Sequence, residues 1–291
     1  MAIRLHREDP RLFLEAIRFT AAETGFIPRL IEKDYFCSVV LEDLATLNSP
    51  LTFKGGTLLA KVHSGFYRLS EDLDFSISMP PGSTKKSRSE AMAPLKTALN
   101  SLTDRLPELR IETALTGSNG SMQYNAIVSY PSALADQRET IKVEIGLREE
   151  IMTQIHSGRS RTLLLNPVRG AALIPAFRIA SLSYQEAMAE KLRAALCRRE
   201  VAIRDFFDID HAVRNGDFNA LDRDLLDLLK RKVDVPGTGP IDVSPQRREQ
   251  LAAQLEAQLR PVLRGAEFEA FDLSRAFATV VKVAESIRQL R

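Results

Sequence analysis

Residues 53–76 read FKGGTLLAKVHSGFYRLSEDLDFS. Their order decides the fold: a short strand run, a glycine pair, an apolar stretch of helical character, then a strand that alternates acidic and apolar side chains. Glycine ahead of a helix lets backbone N–H groups come close to an anion, and the helix N-terminus adds partial positive charge. Gly55, Gly56 and Thr57 therefore predict an anion cradle, with the threonine hydroxyl as a further donor. Asp72 and Asp74 are two residues apart, so on a strand both carboxylates share one face while Leu73 and Phe75 take the other. Carboxylates this close repel unless a cation or hydrogen-bond donors lie between them, and hard oxygen ligands suit Mg²⁺. Taken singly, a glycine pair is often a plain turn and an aspartate pair a solvated strand edge. In this order they predict a nucleotide's phosphates set beside paired carboxylates, the arrangement that nucleotidyl transfer requires.

Three cations bracket the cradle. Lys54, Lys61 and Arg68 offset the charge of a nucleoside triphosphate if they face the cleft, and are solvated ends otherwise. Arg68 and Ser70 stand nearest the aspartates in sequence. A third carboxylate is expected from TIKVEIGL, where Glu144 alternates with Val143 and Ile145 and reaches the same cleft if its strand neighbours that of the aspartates.

Outward from this stretch, residues 10–24 and 28–47 each open on proline and carry apolar residues at helical spacing. Residues 80–89 read as a loop of turn formers and cations, including Lys85, Lys86 and Arg88, which could grip an RNA backbone. A helix to about residue 104 follows, then three strand-like runs: IETALT, MQYNAIVSY and TIKVEIGL. From about residue 183 the pattern is helical, broken by a linker at 235–245 that ends in Ser244 and Pro245, an N-cap and first helical position. The expected class is α+β: N-terminal helices over 1–50 packing on a mixed-sheet catalytic domain at 51–180, with an all-helical domain over 181–291.

With 291 residues, 44% of them hydrophobic, the chain can bury one large core or two smaller ones. Forty basic and 38 acidic residues leave a net charge of +2, too small for binding nucleic acid by bulk charge, so any such contact must be local. Cys37 and Cys197 lack partners at metal or redox spacing and read as core residues. His6, His63, His156 and His211 are scattered without ligand spacing. No run reaches membrane-helix or signal-peptide character, so no membrane association and a cytoplasmic location are expected.

The segment FKGGTLLAKVHSGFYRLSEDLDF resembles the signature of the AbiEii/AbiGii-type nucleotidyltransferase toxin family, with IEKDYF (31–36) and AEKLRAALCRREVAIRDFFDID (189–210) resembling two further motifs. The resemblance implies a polymerase-β-like nucleotidyltransferase fold, transfer of a nucleotide from an NTP with one or two Mg²⁺ ions held by Asp72, Asp74 and Glu144, and a cognate antitoxin. It also implies an RNA acceptor, most naturally a tRNA 3′ end. Lys191 borders an apolar stripe of Met188, Leu192, Ala195 and Leu196, as a surface lysine often does. The family match assigns it to the β- and γ-phosphates. By the same match Asp205 and Asp208, one face of the next helix, orient Lys191 or the acceptor hydroxyl, and Arg204 positions phosphate. Two other readings stay open: nucleotidylation of a protein or small molecule, and an NTP-binding regulatory module without turnover.

Overall fold

The computed structural model describes residues 3–216 and 218–290. Two compact units divide the chain at Leu182 and Ser183.

The first unit opens with helices α1 (Leu5–Glu8), α2 (Pro10–Thr24) and α3 (Pro28–Thr46). Pro10 and Pro28 sit in first turns, where a missing N–H costs nothing, and the Asp9 side chain accepts from Leu12 N to cap α2. Then come β1 (Thr52–Lys54), α4 (Gly55–Leu58) continued by a π-helical turn over Leu59–His63, and β2 (Asp72–Ser76). Helices α5 (Lys85–Asn100) and α6 (Leu102–Arg105) lead into β3 (Arg110–Ser118), β4 (Gln123–Pro131), β5 (Arg138–Gly146), β6 (His156–Ser160) and β7 (Phe177–Ser181).

The seven strands form one mixed sheet in the order β3-β4-β5-β2-β1-β7-β6. The β2–β5 and β1–β7 pairs are parallel and the others antiparallel. Alternation along the strands gives this sheet one apolar face and one polar face. Leu73, Phe75, Val143, Ile145, Ala126, Val128 and Tyr130 are buried on the apolar side, where α3 packs against β2, β5 and β7 and Phe36 stacks on Tyr130 at 4.1 Å between ring centroids. Cys37 is buried here too, and its thiol is pushed up to about 12 by burial, as suits a core side chain.

Among its described residues the second unit's regular elements are all helices: α7 (Tyr184–Cys197), α8 (Ile203–Arg214), α9 (Arg223–Val233), α10 (Pro245–Ala252), α11 (Gly265–Ala270) and α12 (Leu273–Gln289), with a π turn and a 3₁₀ turn between α10 and α11. Ser244 caps α10 by accepting from Arg247 N, with Pro245 in the first turn as expected.

The structure departs from the sequence reading in two places here. Residues 85–89 are not loop but the first turn of α5, capped by Thr84. There Arg88 donates to the carbonyls of Ser83 and Gly120, so its guanidinium ties the preceding turn to the β3–β4 connection. Strands β6 and β7 were not foreseen, because HSGRS and FRIAS are five residues long and half polar, too short for a period to show.

Candidate active site

Lys54 ends β1, and the chain turns at once into α4 through Gly55, whose φ of +78° is in the left-handed region. Space as well as backbone angle requires glycine there: a Cβ on Gly55 would run into the Asp74 carboxylate. At Gly56 a Cβ would strike the Arg68 guanidinium and lie 3.3 Å from Ser70 Oγ. The glycine pair thus lets Asp74 on one side and Arg68 with Ser70 on the other close onto the backbone at the start of α4.

The sheet register completes the site. Lys54 pairs with Asp74 across β1–β2, and Asp74 pairs with Glu144 across β2–β5. Asp72 lies opposite Lys142, and Glu144 lies opposite Asn125 of β4. Side chains of paired residues point the same way, so Lys54, Asp72, Asp74, Lys142, Glu144 and Asn125 share the polar face. The expectation that β5 neighbours β2, on which the third carboxylate depended, is met. Lys142 Nζ lies 2.7 Å from Glu144 Oε2, with the two side chains 46% and 29% exposed. Burial pulls the Lys142 ammonium down, but the Glu144 hydrogen bond and the charges of Glu144, Asp72 and Asp74 outweigh it and hold its pKa above the ordinary value. Asn125 was not singled out from sequence; its Oδ1 is buried without a hydrogen-bond partner.

Two expected phosphate ligands are engaged elsewhere. Thr57 is 1% exposed and donates its hydroxyl to Asp72 O at 2.5 Å, so its one proton fastens α4 to β2 and is not offered to an anion. Lys61 is fully buried on the π turn. Its ammonium donates to Asp34 Oδ1 (2.5 Å), Asp34 O (3.1 Å) and Ser38 Oγ (2.7 Å), all on α3. Core packing has drawn it away from the polar face. The IEKDYF motif acquires a structural reading from the same contacts. Glu32 accepts from Ser132 Oγ and Ala133 N at the β4–β5 turn. Lys33 bonds Glu71, the residue before β2, at 2.8 Å, while Asp34 holds Lys61 and Leu163 N. Each charged residue of the motif anchors a segment beside the sheet.

In the second unit, Lys191 on α7 lies 2.8 Å from Asp205 Oδ1 and 2.9 Å from Asp208 Oδ2 on α8. Arg198 adds a 3.2 Å pair to Asp205. The i, i+3 spacing of the aspartates puts both on one helix face, and the lysine between them is held in place with 13% of its side chain exposed. Arg204 is half-buried and makes no ion pair among the described residues.

Among the described residues no three His, Cys, Asp or Glu side chains gather closely enough to hold a metal ion, and no helix is long and apolar enough to cross a membrane.

A glycine turn at a strand end is thus set against two aspartates of one strand and a glutamate in register on the next. The sequence model of the nucleotidyl transferase AbiEii toxin of type IV toxin–antitoxin systems matches residues 39–283, and the chain belongs to that family. It is accordingly a nucleotidyltransferase of the toxin type. Among solved structures, the chain is similar to MenT4, a nucleotidyltransferase toxin from Mycobacterium tuberculosis H37Rv, at 19% identity and a TM-score of 0.54, over 95% of this chain and 89% of that one. That likeness shows the shared fold. JHP933 from Helicobacter pylori is similar at 17% identity and a TM-score of 0.44, over 97% of this chain and 93% of that one. No curated protein matches the sequence.

Proposed function

We propose that the protein transfers a nucleoside monophosphate from an NTP to the 3′ end of an RNA, with tRNA as the acceptor the family favours, in a Mg²⁺-dependent reaction. The observation that carries this reading is the register Lys54–Asp74–Glu144 across three adjacent strands, with Asp72 on the same face and the Gly55 turn pressed against Asp74.

The oxygens present are of the kind Mg²⁺ takes, and the three carboxylates would have to draw together around the ion. Asp72 and Asp74 present hard oxygens from one strand face, Glu144 lies in register beside them, and the partnerless Oδ1 of Asn125 adds a further oxygen next to Glu144. The ion would be held by Asp72 and Asp74, with Glu144 as third ligand once its pair with Lys142 opens. When bound, it supplies charge to polarise the α-phosphate and the acceptor hydroxyl. The chain's own part is binding and alignment. Gly55 and Gly56 let Asp74 and Arg68 close onto the start of α4, while Lys54, Arg68 and Ser70 offset and orient the triphosphate's charge. Lys191 gives a further cation to the β- and γ-phosphates, Asp205 and Asp208 fix its direction, and Arg204 contributes to phosphate binding. The acceptor hydroxyl attacks the α-phosphorus as the bond to pyrophosphate breaks. Lys85 and Lys86, exposed on the first turn of α5, supply local cations for an RNA backbone.

Incubating the protein with each labelled NTP, Mg²⁺ and total cellular RNA tests the proposal. Label on tRNA-sized RNA is expected; label on protein instead would establish the alternative acceptor, and binding of NTP without any labelled product would establish a regulatory module. The family also implies a cognate antitoxin as partner.

A further inference from the structure

The carboxylate face carries its own cation at the place where a divalent ion is needed. Lys142 is in register with Asp72 on β5 and lies two residues before Glu144, so it shares their face. Its ammonium sits 2.7 Å from Glu144 Oε2. Unlike Lys61, it is held by surface contacts: nearly half of its side chain is exposed, and its stem is free to swing without disturbing the core. An ammonium and a hard divalent ion seek the same oxygen. Asp72, Asp74 and Glu144 share one face, so a divalent ion drawn to it would compete with the Lys142 ammonium for the Glu144 oxygen.

We propose that Lys142 is a displaceable counter-ion, a positioning residue that neutralises and orients Glu144 while no divalent ion is bound and gives up that carboxylate when one binds. The inference rests on the metal reading of Asp72, Asp74 and Glu144. Two consequences follow from competition for one oxygen. Metal affinity is lower than three carboxylates alone would give, and the face avoids self-repulsion between turnovers.

The test is direct titration of the full-length protein with Mn²⁺, following the free ion by electron paramagnetic resonance. Parent, Asp74→Ala, Lys142→Met, Lys142→Arg and Glu144→Gln proteins are compared, together with Lys142→Met in the Glu144→Gln background. Lys142→Met is expected to bind Mn²⁺ about fivefold more tightly than the parent, the range set by a partly exposed ion pair. Lys142→Arg, which keeps the cation, should stay within about twofold of the parent on the same scale. The gain should vanish when Glu144 is already glutamine, an outcome that a general change in surface charge would not produce. Unchanged or weaker Mn²⁺ binding by Lys142→Met, alongside lost binding in Asp74→Ala, overturns the counter-ion role and leaves the metal site standing. Equal binding by parent and Asp74→Ala overturns the metal reading itself.

Discussion

Lys61 and Lys142 both meet a carboxylate at hydrogen-bond distance, 2.5 Å to Asp34 and 2.7 Å to Glu144, yet they lie on opposite sides of the sheet and do opposite things. Lys61 has no exposed surface, and three acceptors on α3 saturate its ammonium. Lys142 has one carboxylate partner at 2.7 Å and open solvent beside it. A buried pair is fixed because releasing either charge leaves the other desolvated, whereas an exposed pair opens at small cost. Contact distance therefore says little about role. Burial decides which lysine is architecture and which can take part in a reaction, and the Lys191 pair with Asp205 and Asp208, at 13% exposure, falls between the two.

The sharpest way to break this contrast is at the carboxylates. Asp74→Ala should abolish nucleotide transfer while leaving the thermal midpoint nearly unchanged, because a half-buried carboxylate on the polar face contributes little to the core. Transfer at the parent rate would remove Asp74 from the site. Lys61→Met should do the reverse. Leaving Asp34 buried and unpaired costs about 3–5 kcal/mol of unfolding free energy, measured in a denaturant titration. If Lys61→Met instead folds with parent stability and loses only NTP affinity, the lysine belongs to the nucleotide site after all.

Lys191→Ala probes the intermediate case. Loss of one charge-assisted contact amounts to about 1.5–3 kcal/mol, so kcat/KM for NTP should fall by about ten-fold or more. A drop in stability alone, with kcat/KM intact, would place Lys191 with Lys61. The smallest effect is expected at the fully solvated end of the scale. Replacing Lys85 and Lys86 together by alanine should weaken RNA binding and reduce the slope of log K against log salt by about 1.5, without altering NTP affinity. Arg88 is left in place, since it serves the chain's own carbonyls. An unchanged salt slope would mean that the RNA, if it binds, lies elsewhere.

Much of the site was legible because strand and turn chemistry are local. The two-residue period put Asp72 and Asp74 on one face, and applied to TIKVEIG it puts Lys142 beside Glu144, a signal already available in the sequence. The glycine pair announced a close approach but did not say of what; the answers, the Asp74 carboxylate at Gly55 and the Arg68 guanidinium at Gly56, required the strand pairing. Asn125 could not be found from sequence, because nothing local says that its strand pairs with β5 in the register that sets it opposite Glu144.

What the sequence determined by itself were properties that depend on neighbours along the chain: the class of elements, the prolines and caps that start α2, α3 and α10, the carboxylate face of β2, and the family. Tertiary structure alone decided where long side chains finish. A lysine stem spans several ångströms and its direction depends on which helix or strand lies alongside. Lys61, beside the cradle in sequence, was thus carried into the core by Asp34, and Thr57 spent its hydroxyl on Asp72 O. Lys142, seventy residues from the aspartates in sequence, was brought to their face by a parallel pairing that no local pattern encodes.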